Sequence, residues 1–380
     1  VSAAVALTLH ALLLWARAGL HGGGDLYPHL RLALQMAESP ALRSVYPPAY
    51  HALGALLSPL LGLAHYPEWM AWLGAAALLA GFRAFQRAAE LPDAASALFA
   101  FSPYAFALTL CLPKVELLGY ACALAGLAAL LRGRPLWVSL ALLAAFWTHT
   151  AAGLYLGLCG GVLSLARRDV RGLAALGAGT LLALPLPIAH LRAGCSLAEA
   201  FLFSQGDYLR AAPRGADIAH FARAALLANP IALALACAGA ARLWRERRAV
   251  AIACALTAVL CLNELWLAPF GARTTLDLVR GLTLLAVPIA AGAGVMLADR
   301  PRAAWAAVAA SSLLALAALV WVVPRTCVSQ PIELARVATL EVDRCRFRWR
   351  GPRSGTLPDR RQVLPDRGVE GSPLGERTAQ

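Results

Sequence analysis

The sequence predicts an all-α, polytopic membrane protein of about 11 transmembrane helices, with a long first outer loop that carries surface helices. Three observations predict it. Of the 380 residues, 60% are apolar and 14% are charged, whereas soluble domains run at roughly 45–50% and 25%. The mean hydropathy is +0.63, which excludes a disordered chain and disfavours a soluble enzyme. The apolar residues also come in long blocks, each near the roughly 20 residues that cross a bilayer as a helix.

The blocks fall at residues 1–20, 45–64, 69–89, 94–112, 115–131, 136–166, 172–191, 219–241, 249–268, 276–297 and 303–323. The first has no basic leader and no small-residue cleavage site after it, so it reads as a span rather than a signal peptide. Block 45–64 holds Pro47, Pro48, His51 and Pro59 and reads as an amphipathic helix on the outer surface. Block 136–166 is too long for one span, and Thr148, His149 and Thr150 divide it into two with a tight turn. With these adjustments, Arg83, Arg87, Arg132, Arg134, Arg167, Arg168, Arg171, Arg242, Arg245, Arg247, Arg248, Arg300 and Arg302 fall in five short connections on one face, the cytoplasmic one. If 45–64 crossed, the first two clusters would flip to the other side.

The chain then divides into a membrane domain, 1–323, and an extracytoplasmic polar tail, 324–380, expected to be partly disordered. The first outer loop is 21–68 and a second runs about 192–218. No internal repeat is evident. The net charge is +13, but the arginines lie between apolar blocks and are not interleaved with aromatics, so they indicate topology and not nucleic-acid binding. The nine cysteines have no metal-ligand spacing. Six lie in apolar blocks, and a Cys327–Cys345 disulfide would suit a tail in an oxidising compartment.

Ionisable groups near bilayer depth are costly and mark function. They collect at four outer places. The first is His21-Gly-Gly-Gly-Asp25-Leu-Tyr-Pro-His29-Leu-Arg31. The glycines let the chain turn off the first span, and Asp25 and His29 share a face if a helix starts at Asp25. A carboxylate beside an imidazole can take a proton from a hydroxyl, and Asp25 is equally suited to be an N-cap. The second place is Tyr46-Pro47-Pro48-Ala-Tyr50-His51. The third is Lys114-Val-Glu116, and the fourth runs from Glu264 to Asp277 and Arg280. His149 occupies the tight turn, either as a substrate contact or as a hydrogen-bonded turn residue.

The stretch Asp25-Leu-Tyr-Pro-His29-Leu-Arg31, just after a first span, resembles the Asp-x-Tyr-x-His-x-Arg segment of oligosaccharyltransferase catalytic subunits. Val45-Tyr46-Pro47-Pro48 is similar to the Tyr-Pro motif of the same outer loop. Both features recur in the membrane-embedded C-type glycosyltransferases, the GT-C fold. The resemblance covers the first ~170 residues in layout. The second acidic motif of the family is here reduced to Lys114-Val-Glu116, and the Trp-Trp-Asp-Tyr-Gly motif and the large soluble domain are missing. The resemblance therefore points to relatives that move one sugar from a polyprenyl-phosphate carrier, rather than to en bloc oligosaccharide transfer.

On that resemblance the chain is an inverting glycosyltransferase of hexosyl or mannosyl type. Its donor is a polyprenyl-phosphate-linked sugar, and its acceptor is a glycan, lipid or protein. Its site faces the extracytoplasmic side of the plasma or inner membrane. Asp25 is the expected general base. Lys114 and Arg280 are expected at the phosphate, and His29, Arg31, Tyr46, His51, Glu116, His149 and Glu264 at the substrate. No metal is required, although Asp25, His29 and Glu116 could ligate Mg or Mn as oxygen-rich donors. The competing class is a transporter or lipid flippase, which would bury charges at mid-span. A structural subunit with a decayed site is the third reading.

Overall fold

The computed structural model describes residues 2–16, 26–38, 46–62, 65–102, 115–196, 229–263, 266, 278–321, 341–342 and 349–350. In chain order the helices are α1 (Ser2–Ala16), α2 (Leu26–Glu38), α3 (Pro48–Leu61), α4 (Tyr66–Ala88), α5 (Asp93–Ala100), α6 (Val115–Leu131) and α7 (Pro135–Thr148). They continue as α8 (Thr150–Arg167), α9 (Val170–Ala183), α10 (Pro185–Arg192), α11 (Pro230–Glu246), α12 (Arg248–Cys261), α13 (Leu278–Leu297) and α14 (Pro301–Trp321). Prolines open several of them, at Pro48, Pro135, Pro185 and Pro230, where the missing N–H costs nothing. Asp169 caps α9 by accepting from the Gly172 N–H, and Asn229 caps α11 by accepting from the Ala232 N–H.

The helices pack as membrane helices do, through small residues that let backbones approach. A Cβ on Gly81 would lie 2.6 Å from the Ala121 carbonyl oxygen, and one on Gly239 would lie 2.2 Å from the Gly292 carbonyl oxygen. These contacts also fix direction. Gly74 meets Leu117 and Gly81 meets Ala121, so α4 and α6 run parallel. Gly119 meets Ala152 and Gly126 meets Leu156, so α8 runs parallel to both. Most of the interior is a large apolar core, bridged at a few points by polar pairs such as Tyr155 Oη with Thr257 Oγ1 at 2.9 Å.

This packing gathers the five Arg-rich connections at one end. Arg247 reaches Glu90 and the Ala89 carbonyl oxygen, joining the α11–α12 and α4–α5 connections. Arg242 reaches Asp299 beyond α13. Arg167 donates to the Leu130 carbonyl oxygen, joining α8–α9 to α6–α7. Exposed tryptophans mark both rims. Trp137, Trp244 and Trp305 lie by the arginines, and Trp72 and Trp266 lie toward the other end, as expected at two membrane interfaces.

Helix α3 is a surface element. At 14 residues it is about 21 Å long, short of the roughly 30 Å hydrocarbon core. Tyr50, His51 and Gly54 face inward, while Leu56 and Leu60 are 71% and 79% exposed. The chain then returns, so that Tyr66 lies against Gly54. Block 45–64 thus stays at one end of the bundle, and the expected division at Thr148–Thr150 is present as a single-residue break at His149.

Several boundaries differ from the sequence reading. The span placed at 219–241 has its described helix at Pro230–Glu246, because Asn229 and Pro230 cap a start there and Arg242–Glu246 pairing carries it past 241. Block 172–191 breaks at Pro185 into α9 and α10. Thr150–Arg167 and Val170–Arg192 are long and apolar enough to cross a bilayer, while Val115–Leu131, Pro135–Thr148, Arg248–Cys261 and Gly281–Leu297 are apolar but shorter. The count of about eleven spans depends on 103–114, 197–228 and 267–277, outside the described residues. In the tail, Glu341–Val342 (β1) and Trp349–Arg350 (β2) form an antiparallel ribbon, a small addition to an otherwise helical fold, and β1 touches α2. The Cys327–Cys345 pairing falls outside the described residues. Cys195 is disulfide-bonded, to a partner also outside them.

Candidate functional site

At the end away from the arginines, α2 and α3 cross over the first turns of α4 and α6. Leu30, Ala33, Tyr50, Tyr66, Met70 and Val115 form a separate buried cluster there. Helix α2 is amphipathic, so its Leu30/Ala33 face packs down and carries His29 with it. On α3, Tyr50 and His51 follow directly from Pro47-Pro48, which sets the helix start.

His29 and His51 are 6% and 1% exposed. His29 Nδ1 lies 3.0 Å from His51 Nε2, and His51 Nδ1 lies 3.2 Å from the Pro47 carbonyl oxygen. A carbonyl oxygen only accepts, so His51 Nδ1 carries the proton and His51 Nε2 accepts. His29 Nδ1–H must then donate, and in the neutral ring His29 Nε2 is an acceptor. The imidazoles stack with centroids 5.2 Å apart. Tyr46 sits edge-on to both, 5.1 Å from His29 and 5.3 Å from His51. Tyr50 sits edge-on at 5.8 and 5.6 Å.

Burial pushes His29 down to about 4, with the nearby Glu116 carboxylate pulling the other way. His51 is held well below its ordinary value by burial first and then by His29, against the Pro47 carbonyl. Burial raises the phenols of Tyr50 and Tyr66. At neutral pH the cluster therefore offers neutral rings and hydroxyls beside Glu116, in the first turn of α6. Such groups hydrogen-bond hydroxyls well and neutralise a phosphate poorly.

The structure thus brings together His29, Tyr46, His51 and Glu116 from three separate segments. His149 lies at the same end, its ring 6.3 Å from Tyr120, one turn along α6 from Glu116. Arg31 is half-buried on α2. Asp25, Lys114 and Glu264 lie outside the described residues, and for Arg280, on α13, only the backbone is described. Asp25 immediately precedes α2 in the sequence, four residues before His29. Sequence reasoning passed over Tyr50 and Tyr66 as ring walls. The available signal was Tyr50 beside His51, and Tyr66 ahead of Pro67 at a helix start. Among the described residues no group of three or more His, Cys, Asp or Glu side chains is placed to hold a metal.

No family model matches the sequence, and no curated protein does. Solved structures do. ArnT from Cupriavidus metallidurans bound to undecaprenyl phosphate aligns with a TM-score of 0.57 at 16% identity, over 80% of this chain and 62% of that one. The apo state of the same protein aligns with a TM-score of 0.57 at 18% identity, over 80% of this chain and 61% of that one. The chain therefore spans about 62% of the length of the structures it matches. At such identity the likeness is one of fold, and the fold this chain carries is the polytopic, all-α fold of the GT-C glycosyltransferases.

Proposed function

We propose that the chain transfers a sugar from a polyprenyl-phosphate carrier to a hydroxyl acceptor, at the end of the bundle away from the arginines. The observation that carries this reading is the meeting of α2, α3 and the start of α6 around His29, Tyr46, His51 and Glu116, within a fold shared with a protein bound to undecaprenyl phosphate. Asp25, four residues ahead of His29 in the sequence, is the general base that takes the acceptor's proton as the hydroxyl attacks the anomeric carbon with inversion. Lys114, two residues before Glu116, and Arg280 supply the positive charge that the neutral imidazoles lack. That charge stabilises the departing lipid phosphate, Arg through a bidentate contact and Lys as a point charge. Arg31, Glu264 and His149 border the substrate.

His29 and His51 contact the sugar or acceptor hydroxyls instead of the phosphate, since both are neutral. No metal is needed for this chemistry. A hexose such as mannose is the sugar class that the sequence resemblance favours, and a glycan, lipid or protein is the acceptor. The disulfide at Cys195, beyond α10 and away from the arginines, supports an extracytoplasmic site, because disulfides persist in oxidising compartments.

The transporter reading needs acids or bases in the middle of the spans. Among the described helices, α6, α8, α9, α12 and α13 carry theirs at or near their ends and α7 carries none, whereas α1 has His10 near its middle. The test is transfer from polyprenyl-phosphate sugars in reconstituted vesicles. Wild type transfers sugar, and Asp25→Asn lowers the rate by about 10²–10⁴-fold, the range for a lost general base. Equal transfer by both would remove Asp25 from the mechanism, and no transfer from any such donor would favour a carrier.

A further inference from the structure

The Arg-rich end is not uniform. On one half, four arginines are engaged within the protein, while Arg87, Arg300 and Arg302 are exposed. Arg83 pairs with Asp93, Arg242 with Glu246 and Asp299, and Arg247 with Glu90, while Arg248 lies over the Trp244 ring. On the other half, at the corner made by the α6–α7 and α8–α9 connections, Arg132, Arg134, Arg167, Arg168 and Arg171 are all exposed. None of these five forms an ion pair among the described residues. Arg167 uses one guanidinium N–H on the Leu130 carbonyl oxygen, and that bond holds the two connections side by side. The one acid in the corner, Asp169, is spent on capping α9.

The corner also has an apolar rim. Leu136, Trp137, Leu165 and Val170 are exposed directly beside the arginines. An exposed tryptophan next to guanidinium groups at a helix end suits the headgroup layer of a bilayer. Arg168 also stands at a backbone position suited to another residue. It ends α8 in the left-handed region, at φ 55° and ψ 35°, where glycine would fit without strain.

We propose that this corner is a docking site for the headgroups of anionic phospholipids in the adjacent leaflet. The planar guanidinium groups bind lipid phosphates, and the apolar rim lies against the acyl chains. The site lies at the opposite end from the His29–His51 cluster, so it stands or falls independently of the proposed transfer reaction.

The test uses the full chain in nanodiscs of phosphatidylcholine with and without phosphatidylglycerol, with retained lipid read by native mass spectrometry. Wild type retains phosphatidylglycerol in preference to phosphatidylcholine. Arg168→Gly removes one charge and relieves the backbone, so it folds normally and loses about fivefold in phosphatidylglycerol affinity, as expected of one basic side chain near an anionic surface. Arg132→Gln combined with Arg134→Gln loses more, and raised salt weakens retention in the wild type. Arg302→Gln, exposed on another connection, leaves retention unchanged. A wild type indifferent to headgroup charge would overturn the proposal, as would an equal loss in Arg168→Gly and Arg302→Gln, which would mean diffuse attraction and no site.

Discussion

His29 and His51 form a hydrogen-bonded pair whose direction is set by one carbonyl oxygen, that of Pro47. Breaking it has a predictable cost. His51→Ala removes the acceptor for a buried His29 N–H, which costs about 1–3 kcal/mol and should lower the thermal midpoint measured in detergent. The pair also predicts a pH dependence. Unfolded, His29 titrates near 6.5, and folded it titrates near 4 because burial disfavours the cation. Between those values the unfolded chain binds the extra proton, so this contribution is whole above about pH 6.5 and is lost as pH falls toward 4. At about 1.36 kcal/mol per pH unit, it amounts to on the order of 3 kcal/mol. Thermal unfolding followed from pH 7 to pH 4.5 should show the decline, and His29→Gln should flatten it. The residue types of this site were legible because His29, Tyr46 and His51 sit in short polar runs amid apolar sequence. Their direct contact was not, since it depends on how α2 and α3 cross, and no local pattern encodes a crossing.

At the scale of elements, glycine and proline positions decide more than hydropathy does. Blocks 115–131 and 136–166 could be placed closely because Arg132-Gly-Arg-Pro135 and Thr148-His-Thr150 punctuate them sharply. The start of α11 was missed because apolar residues run through Asn229-Pro230, and a sliding hydropathy reading does not register the cap. The α4–α6 contact is the clearest case of a helix pair set by one glycine. Gly81→Val would place side-chain atoms against the Ala121 backbone, only 2.6 Å from where a Cβ would start. Overpacking of this kind costs about 1–3 kcal/mol. Gly161→Ala, on α8 where a Cβ meets open space, should be neutral in the same unfolding measurement. Contrast between these two variants tests the packing and not merely the loss of a glycine.

For the whole molecule, the arrangement is a bundle with two chemically distinct ends. Arginines and their partners line one, and aromatic rings, imidazoles and Glu116 line the other. The arginine bias was readable directly, because positive charge in short connections sets orientation during insertion. The convergence of the other end was readable only through the resemblance of Asp25–Arg31 and Val45–Pro48 to GT-C sequences. Orientation has a direct test. A membrane-impermeant maleimide applied outside should label an Arg192→Cys variant, exposed at the end of α10, and should not label an Arg134→Cys variant unless the membrane is opened. Hydrogen exchange with and without a polyprenyl-phosphate sugar reads out whether the end bearing His29 and His51 receives the lipid-linked donor. Slowed exchange is expected in residues 26–38, 46–61 and the first turn of α6. Unchanged exchange there, with protection confined to the Arg-rich connections, would contradict it.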